Sequence, residues 1–399
     1  MAVKINALEG LGTLLASSDA FIKEMHDLGA APNRKKELTR VFSPGEAAEM
    51  VGRDRTTLGR AEAEMVVTIP ARDPDTNRRV GYTFQQIQDF RRHFGTLPWR
   101  DPKLDQPFIL DVQNLKGGTS KSTTCVNFAH YLALEGYRVL VVDTDSQATT
   151  TSFFGYIPDQ DLEVKDTIAP FLLAERDSLD YAIRKTHWPN IDLIPSCLAL
   201  ADVEVIGIQH LATLESAEEK RDFFEDLQRG IQVVASRYDV VLFDTAPAIG
   251  VTSIMVLLAA DAVIIPTTAQ MPDYASTVQF FRMINNYIGQ IAPDKEYYWM
   301  RVLITKFSRR GKVAKDKPTL QEQFADAMKK TLGDFRFSRM VFEATEIQAA
   351  AAIFTTPYEQ DKPNRRILAA LDEVFEEIEL AVLQAWPSKT DLLSQRGIA

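Results

Sequence analysis

The chain has 399 residues, which is enough for two or three domains. Hydrophobic residues make up 45% and charged residues 25%, a composition typical of globular proteins that excludes a fibrous or largely disordered chain. The formal net charge is −10, which excludes a protein that binds nucleic acid through overall basic character, so any DNA contact needs a local basic patch.

Three features of the sequence bear on the cellular location of the protein. No apolar run reaches transmembrane length, and the first twenty residues lack the basic-then-apolar pattern of a secretion signal. The two cysteines, Cys125 and Cys197, have no neighbours at metal-ligand spacing, so we interpret both as packing residues. We therefore expect a cytoplasmic protein without a membrane partner.

The N-terminal region, residues 1–40, carries an apolar stripe at helical spacing. The stripe consists of Ile5, Leu8, Leu11, Leu14, Leu15, Phe21, Ile22, Met25 and Leu28. Pro32 is expected to end this helix. The helix could pack on its own chain or act as a dimerisation element with a second copy, and the pattern does not distinguish the two.

Residues 41–97 are predicted to form a winged helix-turn-helix domain. Ser43 and Glu46 form a capping box, with Pro44 at the first helical position. Gly52 suits a tight turn, and a second helix starts near Asp54. A recognition helix enters the major groove with its N-terminal half. The polar residues there are Arg53, Arg55, Thr56, Thr57 and Arg60.

Two β-prone segments, residues 66–70 and 78–83, flank a polar turn and indicate a wing that carries Arg78 and Arg79. The helix Phe84–Phe94 follows. An adaptor that binds protein is the alternative, because helix-turn-helix units also make protein contacts. Residues 98–106, with two prolines and no periodicity, are predicted to be a linker.

From residue 107 to the C-terminus, apolar strand segments alternate with helical segments. The predicted strands are Phe108–Val112, Val139–Asp143, Ile191–Ile194, Val240–Asp244, 262–266 and 302–305. This alternation is typical of an α/β fold with a mostly parallel sheet and helices on both faces. Near the C-terminus, an apolar helical stripe from Ile367 to Leu380 has acidic companions, which are unsuited to an anionic membrane.

A glycine-rich segment between the first predicted strand and a helix has the composition of a phosphate-binding loop. Its residues are Lys116, Gly117, Gly118, Thr119, Ser120, Lys121, Ser122 and Thr123. Glycines let backbone N–H groups converge on phosphate oxygens, and a helix N-terminus adds partial positive charge. Lys121 is placed to reach the β- and γ-phosphates, and Ser122 to bind Mg²⁺. The alternative is a plain turn with incidental lysines.

Two further strands end in aspartates, Asp143 followed by Asp145 in one case and Asp244 in the other. In open α/β sheets, ligands bind beyond the carboxyl ends of the strands. We therefore expect these carboxylates beside the phosphate-binding loop. Aspartates that only cap the next turn are the alternative.

The spacing K-G-G-x-x-K-[ST], with Lys116 before the glycine pair, resembles the deviant Walker A loop of the ParA/MinD class of P-loop ATPases. Together with the helix-turn-helix segment, the whole chain resembles the large plasmid ParA partition ATPases. The resemblance implies a homodimer in which Lys116 reaches the partner's nucleotide and Asp145 activates water. The residues implied in catalysis are Asp145, Lys116 and Lys121, and those implied at Mg²⁺ are Ser122, Asp143 and Asp244.

The resemblance also implies how the protein works. It implies ATP and ADP as ligands, non-specific binding to nucleoid DNA in the ATP form, and weak hydrolysis stimulated by a ParB-type centromere-binding protein. It further implies repression of the protein's own operon through the helix-turn-helix. A nucleotide-sensing repressor without a transport role is the alternative.

The densest basic segment of the chain follows residues 302–305. It contains Arg309, Arg310 and Lys312, at the place where ParA proteins carry residues for sequence-independent DNA binding. A solvated basic face is an equally good interpretation of this segment.

Overall fold

The structure is a computed structural model that describes residues 6–27, 36–77, 79–158, 160–308, 318–395 and 397. Its helices are α1 Ala7–Asp27, α2 Pro44–Val51, α3 Arg55–Ala63, α4 Phe84–Phe94, α5 Lys121–Glu135, α6 Thr149–Phe153, α7 Ala169–Leu172, α8 Leu200–Leu211, α9 Ala217–Ala235, α10 Val251–Ala259, α11 Met271–Ile291, α12 Leu320–Leu332, α13 Thr345–Ala352, α14 Arg365–Leu383 and α15 Thr390–Gln395. Its strands are β1 Val41–Phe42, β2 Tyr82–Thr83, β3 Phe108–Val112, β4 Val139–Asp143, β5 Arg184–Lys185, β6 Ile191–Ile194, β7 Val240–Asp244, β8 Ala262–Thr268 and β9 Trp299–Thr305.

Within the described residues, seven strands form the central sheet in the order β5-β6-β4-β7-β3-β8-β9. All neighbouring pairs are parallel except β5 with β6, which are antiparallel. The central strands β3, β4, β7 and β8 are buried at every position, as expected of strands covered by helices on both faces. The α/β fold and the six predicted strands are confirmed, although β8 extends to Thr268 and β9 begins at Trp299.

The helices α2 and α3 form the predicted helix-turn-helix. The capping box of Ser43 and Glu46 is present at the start of α2. Gly52 ends α2 in the left-handed conformation, with φ of 67°, which glycine adopts without steric cost. Asp54 caps α3 by accepting a hydrogen bond from the Thr57 backbone N–H.

The prediction of a strand at residues 66–70 is wrong. Met65 takes a left-handed turn directly after α3, with φ of 57°, and Val67 is buried in the core. The β2 strand instead pairs with β1, which had no predicted role. In the part of the chain that the structure describes, the wing is reduced to one isolated bridge between Arg72 and Arg79.

Helices α2, α3 and α4 pack on the central sheet unit through one continuous hydrophobic core. The Phe84 ring meets the Trp188 ring edge-on, with centroids 5.4 Å apart. From α4, Arg91 Nη1 donates to the Leu134 carbonyl at 2.6 Å, and Gln88 Nε2 donates to the Ala133 carbonyl at 3.3 Å. The end of helix α5 is therefore bonded to α4, and Arg91 Nε extends this link to α2 by donating to the Met50 carbonyl at 2.8 Å.

The predicted linker, residues 98–106, is fixed to the sheet unit. Arg100 is buried, and its guanidinium donates to three carbonyls, those of Tyr238, Asp105 and Ser236. Trp99 Nε1 donates to the Gly136 carbonyl at 2.9 Å. These contacts hold the segment in place, although its sequence lacks any periodic pattern.

The two terminal amphipathic helices differ in what covers their apolar faces. In α14, Leu371, Val374 and Phe375 are buried, and Phe375 packs against Phe128 of α5. In α1 six large apolar side chains are exposed, from 38% at Ile22 to 81% at Leu8, and Met25 is half-buried. No helix in the described residues is both long and apolar enough to cross a membrane.

Candidate active site

The phosphate-binding loop lies between β3 and α5, as its sequence predicts. Gly118 has φ of 78°, and a Cβ atom added at Gly117 or Gly118 would meet no atom within 4 Å, so open space borders the loop at both glycines. Ser120 occupies the N-cap position of α5 but its hydroxyl makes no capping hydrogen bond. The first backbone N–H groups of α5 are therefore available to an anion, as at other phosphate-binding helix N-termini.

The two lysines of the loop have different environments. Lys121 is 7% exposed, burial lowers the pKa of its ammonium, and Nζ donates to the Lys116 carbonyl at 3.4 Å. The nearby charges that favour its ionised form belong to Asp244, Asp145 and Asp111. Lys116 is exposed. Its side chain is thus accessible to another molecule, whereas Lys121 points into the site.

The three predicted aspartates converge beside the loop. Asp143 and Asp244 are register partners at the carboxyl ends of β4 and β7. Asp145 is 8% exposed, and its backbone N–H donates to Asp143 Oδ1 at 3.1 Å. The structure therefore brings Lys121, Ser122 and all three carboxylates together at one edge of the sheet.

Burial raises the pKa of both paired carboxyls. Loss of water is the main cause for Asp143, and the charge of Asp244 adds to it. Burial raises the pKa of Asp244 to about 6, against the hydrogen bonds from Thr150 and Ser122 that favour its ionised form. Two desolvated carboxylates side by side repel each other, and a cation bound between them would stabilise their ionised forms.

Helix α6 contributes two threonines that sequence reasoning missed. The Thr150 hydroxyl donates to Asp244 Oδ2 at 2.7 Å. Thr151 donates to Asp143 Oδ2 twice, from its hydroxyl at 2.7 Å and from its backbone N–H at 2.8 Å. The run of three threonines after Asp145, Thr149 to Thr151, was the available signal, but only the fold shows that two of them reach the carboxylates.

The oxygen donors at this edge fit Mg²⁺. Asp244 Oδ1 is buried and has no hydrogen-bond partner among the residues that the structure describes, while the Ser122 hydroxyl hydrogen-bonds the same carboxylate. Mg²⁺ prefers hard oxygen ligands, usually one or two carboxylates together with phosphates and water. Asp143 accepts all its observed hydrogen bonds from Asp145 and Thr151, so it suits an outer role better than direct coordination.

A cavity of about 410 Å³ adjoins the phosphate-binding loop at Gly118, Ser120 and Thr123. One wall consists of Thr124 and Asn127 on α5, and the opposite wall includes Phe342 and Ile347. Lys306 lies at its mouth, where Nζ donates to the Gly118 carbonyl at 2.7 Å. Its size and mixed lining suit a heterocycle attached to the phosphates.

The residues predicted to contact DNA fall into two groups. In the helix-turn-helix, Arg53, Arg55, Thr56 and Arg60 are exposed. Thr57 instead bonds Asp54 as part of the helix cap, and Arg79 pairs with Glu62 Oε1 at 2.7 Å. Four other residues predicted to contact DNA lie outside the described part of the chain: Arg78, Arg309, Arg310 and Lys312.

The chain is similar to proteins of known family. A family model described as an AAA domain matches residues 108–294. Protein SopA of Escherichia coli (strain K12) is 34% identical over 335 residues, which cover 82% of each chain. The chromosome partitioning protein ParA of Caulobacter vibrioides (strain NA1000 / CB15N) is 30% identical over 226 residues, 57% of this chain and 77% of that one.

Solved structures show the same fold. The structure of a partition protein matches 94% of this chain and 99% of its own, with a TM-score of 0.64 and 21% identity. The structure of apo McdA from Cyanthece matches 69% of this chain and all of its own, with a TM-score of 0.56 and 19% identity. Because SopA is similar along most of both chains, the chain belongs to the ParA family of plasmid partition ATPases, in the large class that includes SopA.

Proposed function

We propose that the protein is a DNA-segregation ATPase that moves or positions a plasmid. The observation that carries this proposal is the convergence of Lys121, Ser122 and three aspartates at one sheet edge, next to an exposed Lys116. Buried groups suit a site that binds nucleotide within one chain. An exposed lysine at the same loop suits a contribution to the site of a second copy.

The residues have separable roles in the proposed hydrolysis. Lys121 and the N-terminus of α5 bind the β- and γ-phosphates of ATP, and Ser122 and Asp244 hold Mg²⁺. When bound, Mg²⁺ neutralises charge on the phosphates. Asp145 orients the attacking water and accepts its proton, and Lys116 of the partner subunit adds positive charge. Because that last charge comes only with dimerisation, a lone subunit hydrolyses ATP weakly.

Helix α1 supports the proposed homodimer. Its apolar stripe is exposed along the helix, as at Leu11, Leu14 and Phe21, each more than half exposed. An exposed apolar stripe of this length marks an interaction surface. We propose that α1, within residues 1–40, packs against a second copy of the chain.

Two surfaces are proposed to bind DNA. The start of α3, with Arg53, Arg55, Thr56 and Arg60, reads an operator, so that the protein represses its own operon. The basic segment after β9, with Arg309, Arg310 and Lys312, binds nucleoid DNA without sequence preference in the ATP form. A ParB-type centromere-binding protein is proposed to stimulate hydrolysis and release that DNA.

A second candidate function is a nucleotide-sensing repressor without a transport role. The specific observation in its favour is that Arg91 and Gln88 of α4 bond the last turn of α5, whose first turn belongs to the phosphate-binding loop. This contact would let nucleotide influence operator binding directly. A repressor of this kind requires no affinity for random DNA.

Titration of random-sequence DNA and of the DNA upstream of the protein's own operon separates these functions. Partition predicts tight, salt-sensitive binding to random DNA with ATP only, whereas equal random binding with ATP, ADP and no nucleotide would refute it. Arg55→Ala should lose the preference for operon DNA and keep random binding. Arg309→Ala with Arg310→Ala should do the reverse. Arg366→Ala, an exposed arginine of α14, serves as the matched control.

A further inference from the structure

The loop that follows Asp244 leads from the candidate metal site to helix α10. Residues 246–250 are half-buried or exposed, so the loop owes its position to a few side-chain contacts. At its start, the Thr245 hydroxyl lies 3.0 Å from Asp111 Oδ1 and 3.0 Å from the Val112 carbonyl. Its far end is held by a residue that belongs to none of the nucleotide-binding motifs.

That residue is Glu204 of helix α8. Its Oε2 accepts a hydrogen bond from the Val251 backbone N–H at 2.6 Å, and its Oε1 accepts one from the Thr252 N–H at 3.0 Å. Helix α10 has no side-chain cap of its own, because Gly250 occupies the N-cap position. A carboxylate there satisfies two otherwise unpaired N–H groups and meets the positive end of the helix.

Two glycines allow α8 to come this close to α10. A Cβ atom on Gly250 would lie 2.2 Å from Glu204 Oε2, and one on Gly207 would lie 3.1 Å from Val251 Cγ1. Gly250 has φ of −122° and ψ of −170°, extended angles that any residue adopts. An added Cβ at position 250 would therefore displace the carboxylate end of Glu204, so glycine at this position leaves room for the contact.

We propose that Glu204 is a positioning residue for ATP hydrolysis, an inference that rests on the proposed ATPase function. By holding the first turn of α10, Glu204 fixes the far end of the loop whose near end is Asp244. The phosphate-binding groups lie on a different segment, the β3–α5 loop. Loss of Glu204 should therefore disturb the arrangement needed for turnover while leaving ATP affinity almost unchanged.

The test uses the full chain with four substitutions. Glu204→Ala removes the cap, Gly250→Ala displaces it sterically, and Glu204→Gln retains an oxygen acceptor. Asp202→Ala removes an exposed carboxylate from the same helix and serves as control. ATP affinity is measured by calorimetry, kcat by steady-state hydrolysis at saturating ATP, and folding by circular dichroism.

We expect Glu204→Ala and Gly250→Ala each to lower kcat by about tenfold, within the range that small misplacements of reacting groups produce, with ATP affinity within twofold of the parent. Glu204→Gln should retain an intermediate kcat, and Asp202→Ala the parent value. The double variant of Glu204→Ala with Gly250→Ala should be no slower than Glu204→Ala alone, because both changes remove one contact.

Other results would overturn the proposal. A folded Glu204→Ala variant with the parent kcat, or a double variant whose losses multiply, shows that the contact does not position the loop. If Glu204→Ala does not fold, Glu204→Gln decides instead, and a parent kcat in that variant counts against the proposal. A parent protein that neither binds nor hydrolyses ATP would remove the proposed function itself, which is a different outcome.

Discussion

Replacing Asp244 by asparagine is expected to stabilise the nucleotide-free protein at neutral pH. The side chain is fully buried at the end of β7, and burial raises the pKa of its carboxyl from 3.8 to about 6. Since one pKa unit corresponds to about 1.4 kcal/mol, keeping the ionised carboxylate buried costs about 3 kcal/mol relative to the unfolded chain. The asparagine oxygen can still accept the Thr150 hydroxyl, so Asp244→Asn should recover most of this cost.

The gain in unfolding free energy expected for Asp244→Asn depends on pH. Because the folded-state pKa of Asp244 is raised, the folded parent holds the proton more tightly than the unfolded chain, and the parent loses stability as pH rises from about 4 to about 6. The variant has no such group. The difference in unfolding free energy between the variant and the parent should therefore be near zero at pH 4 and reach its plateau above pH 6. Relief of the raised pKa of Asp143 acts in the same direction.

Urea unfolding in a metal chelator, between pH 4 and 7.5, measures this difference, with Asp202→Asn as an exposed control. Adding Mg²⁺ and ATP should reverse the order, because only the parent retains the carboxylate that is proposed to hold the metal. A variant no more stable than the parent at pH 7.5 would contradict the reasoning. So would a difference of the same size at every pH.

Three further substitutions test other parts of the site. Lys121→Ala should weaken ATP binding at least tenfold in calorimetry, because a charge-assisted contact to phosphate is lost, and near-parent affinity would remove the phosphate-binding assignment. Asp145→Ala should bind ATP normally but hydrolyse it slowly in single-turnover assays; if it keeps the parent rate, Asp143 is the next candidate. Thr151→Val should lower the unfolding free energy by about 1–3 kcal/mol, because it leaves a buried Asp143 oxygen and the Ser196 N–H with fewer partners, and unchanged urea unfolding would count against this.

The sequence predicts most of the sheet because its central strands are buried on both faces and appear as unbroken apolar runs. The β5 strand, Arg184–Lys185, was not predicted, since two polar residues at a sheet edge have no such pattern. The prediction of a strand at residues 66–70 failed for the opposite reason: the segment has an apolar pattern but forms no strand. Its apolar residues pack into the core from an irregular segment, and composition alone does not separate the two cases.

The residues of the candidate site likewise divide into those that the sequence predicts and those that only the fold reveals. Lys121, Ser122 and the strand-end aspartates are fixed by short motifs whose strand–loop–helix context determines where they lie. Thr150, Thr151 and Glu204 act through contacts with residues as many as 94 positions away, as Thr150 does with Asp244. Such partners depend on the order of strands in the sheet, which no local spacing encodes.

Helix α5 has consequences for any shortened form of the protein. With 15 residues it is on the order of 22 Å long. It carries Lys121, the lysine proposed to bind phosphate, at one end and the carbonyls bonded by Arg91 and Gln88 at the other. A chain reduced to residues 107–399 would leave those carbonyls without these donors and would uncover the ring of Trp188, which Phe84 covers. The end of α5 opposite the phosphates would also lose the cation that balances its negative dipole. The nucleotide affinity of such a fragment would therefore not represent that of the whole protein, because helix α5 would have lost these contacts at its C-terminal end.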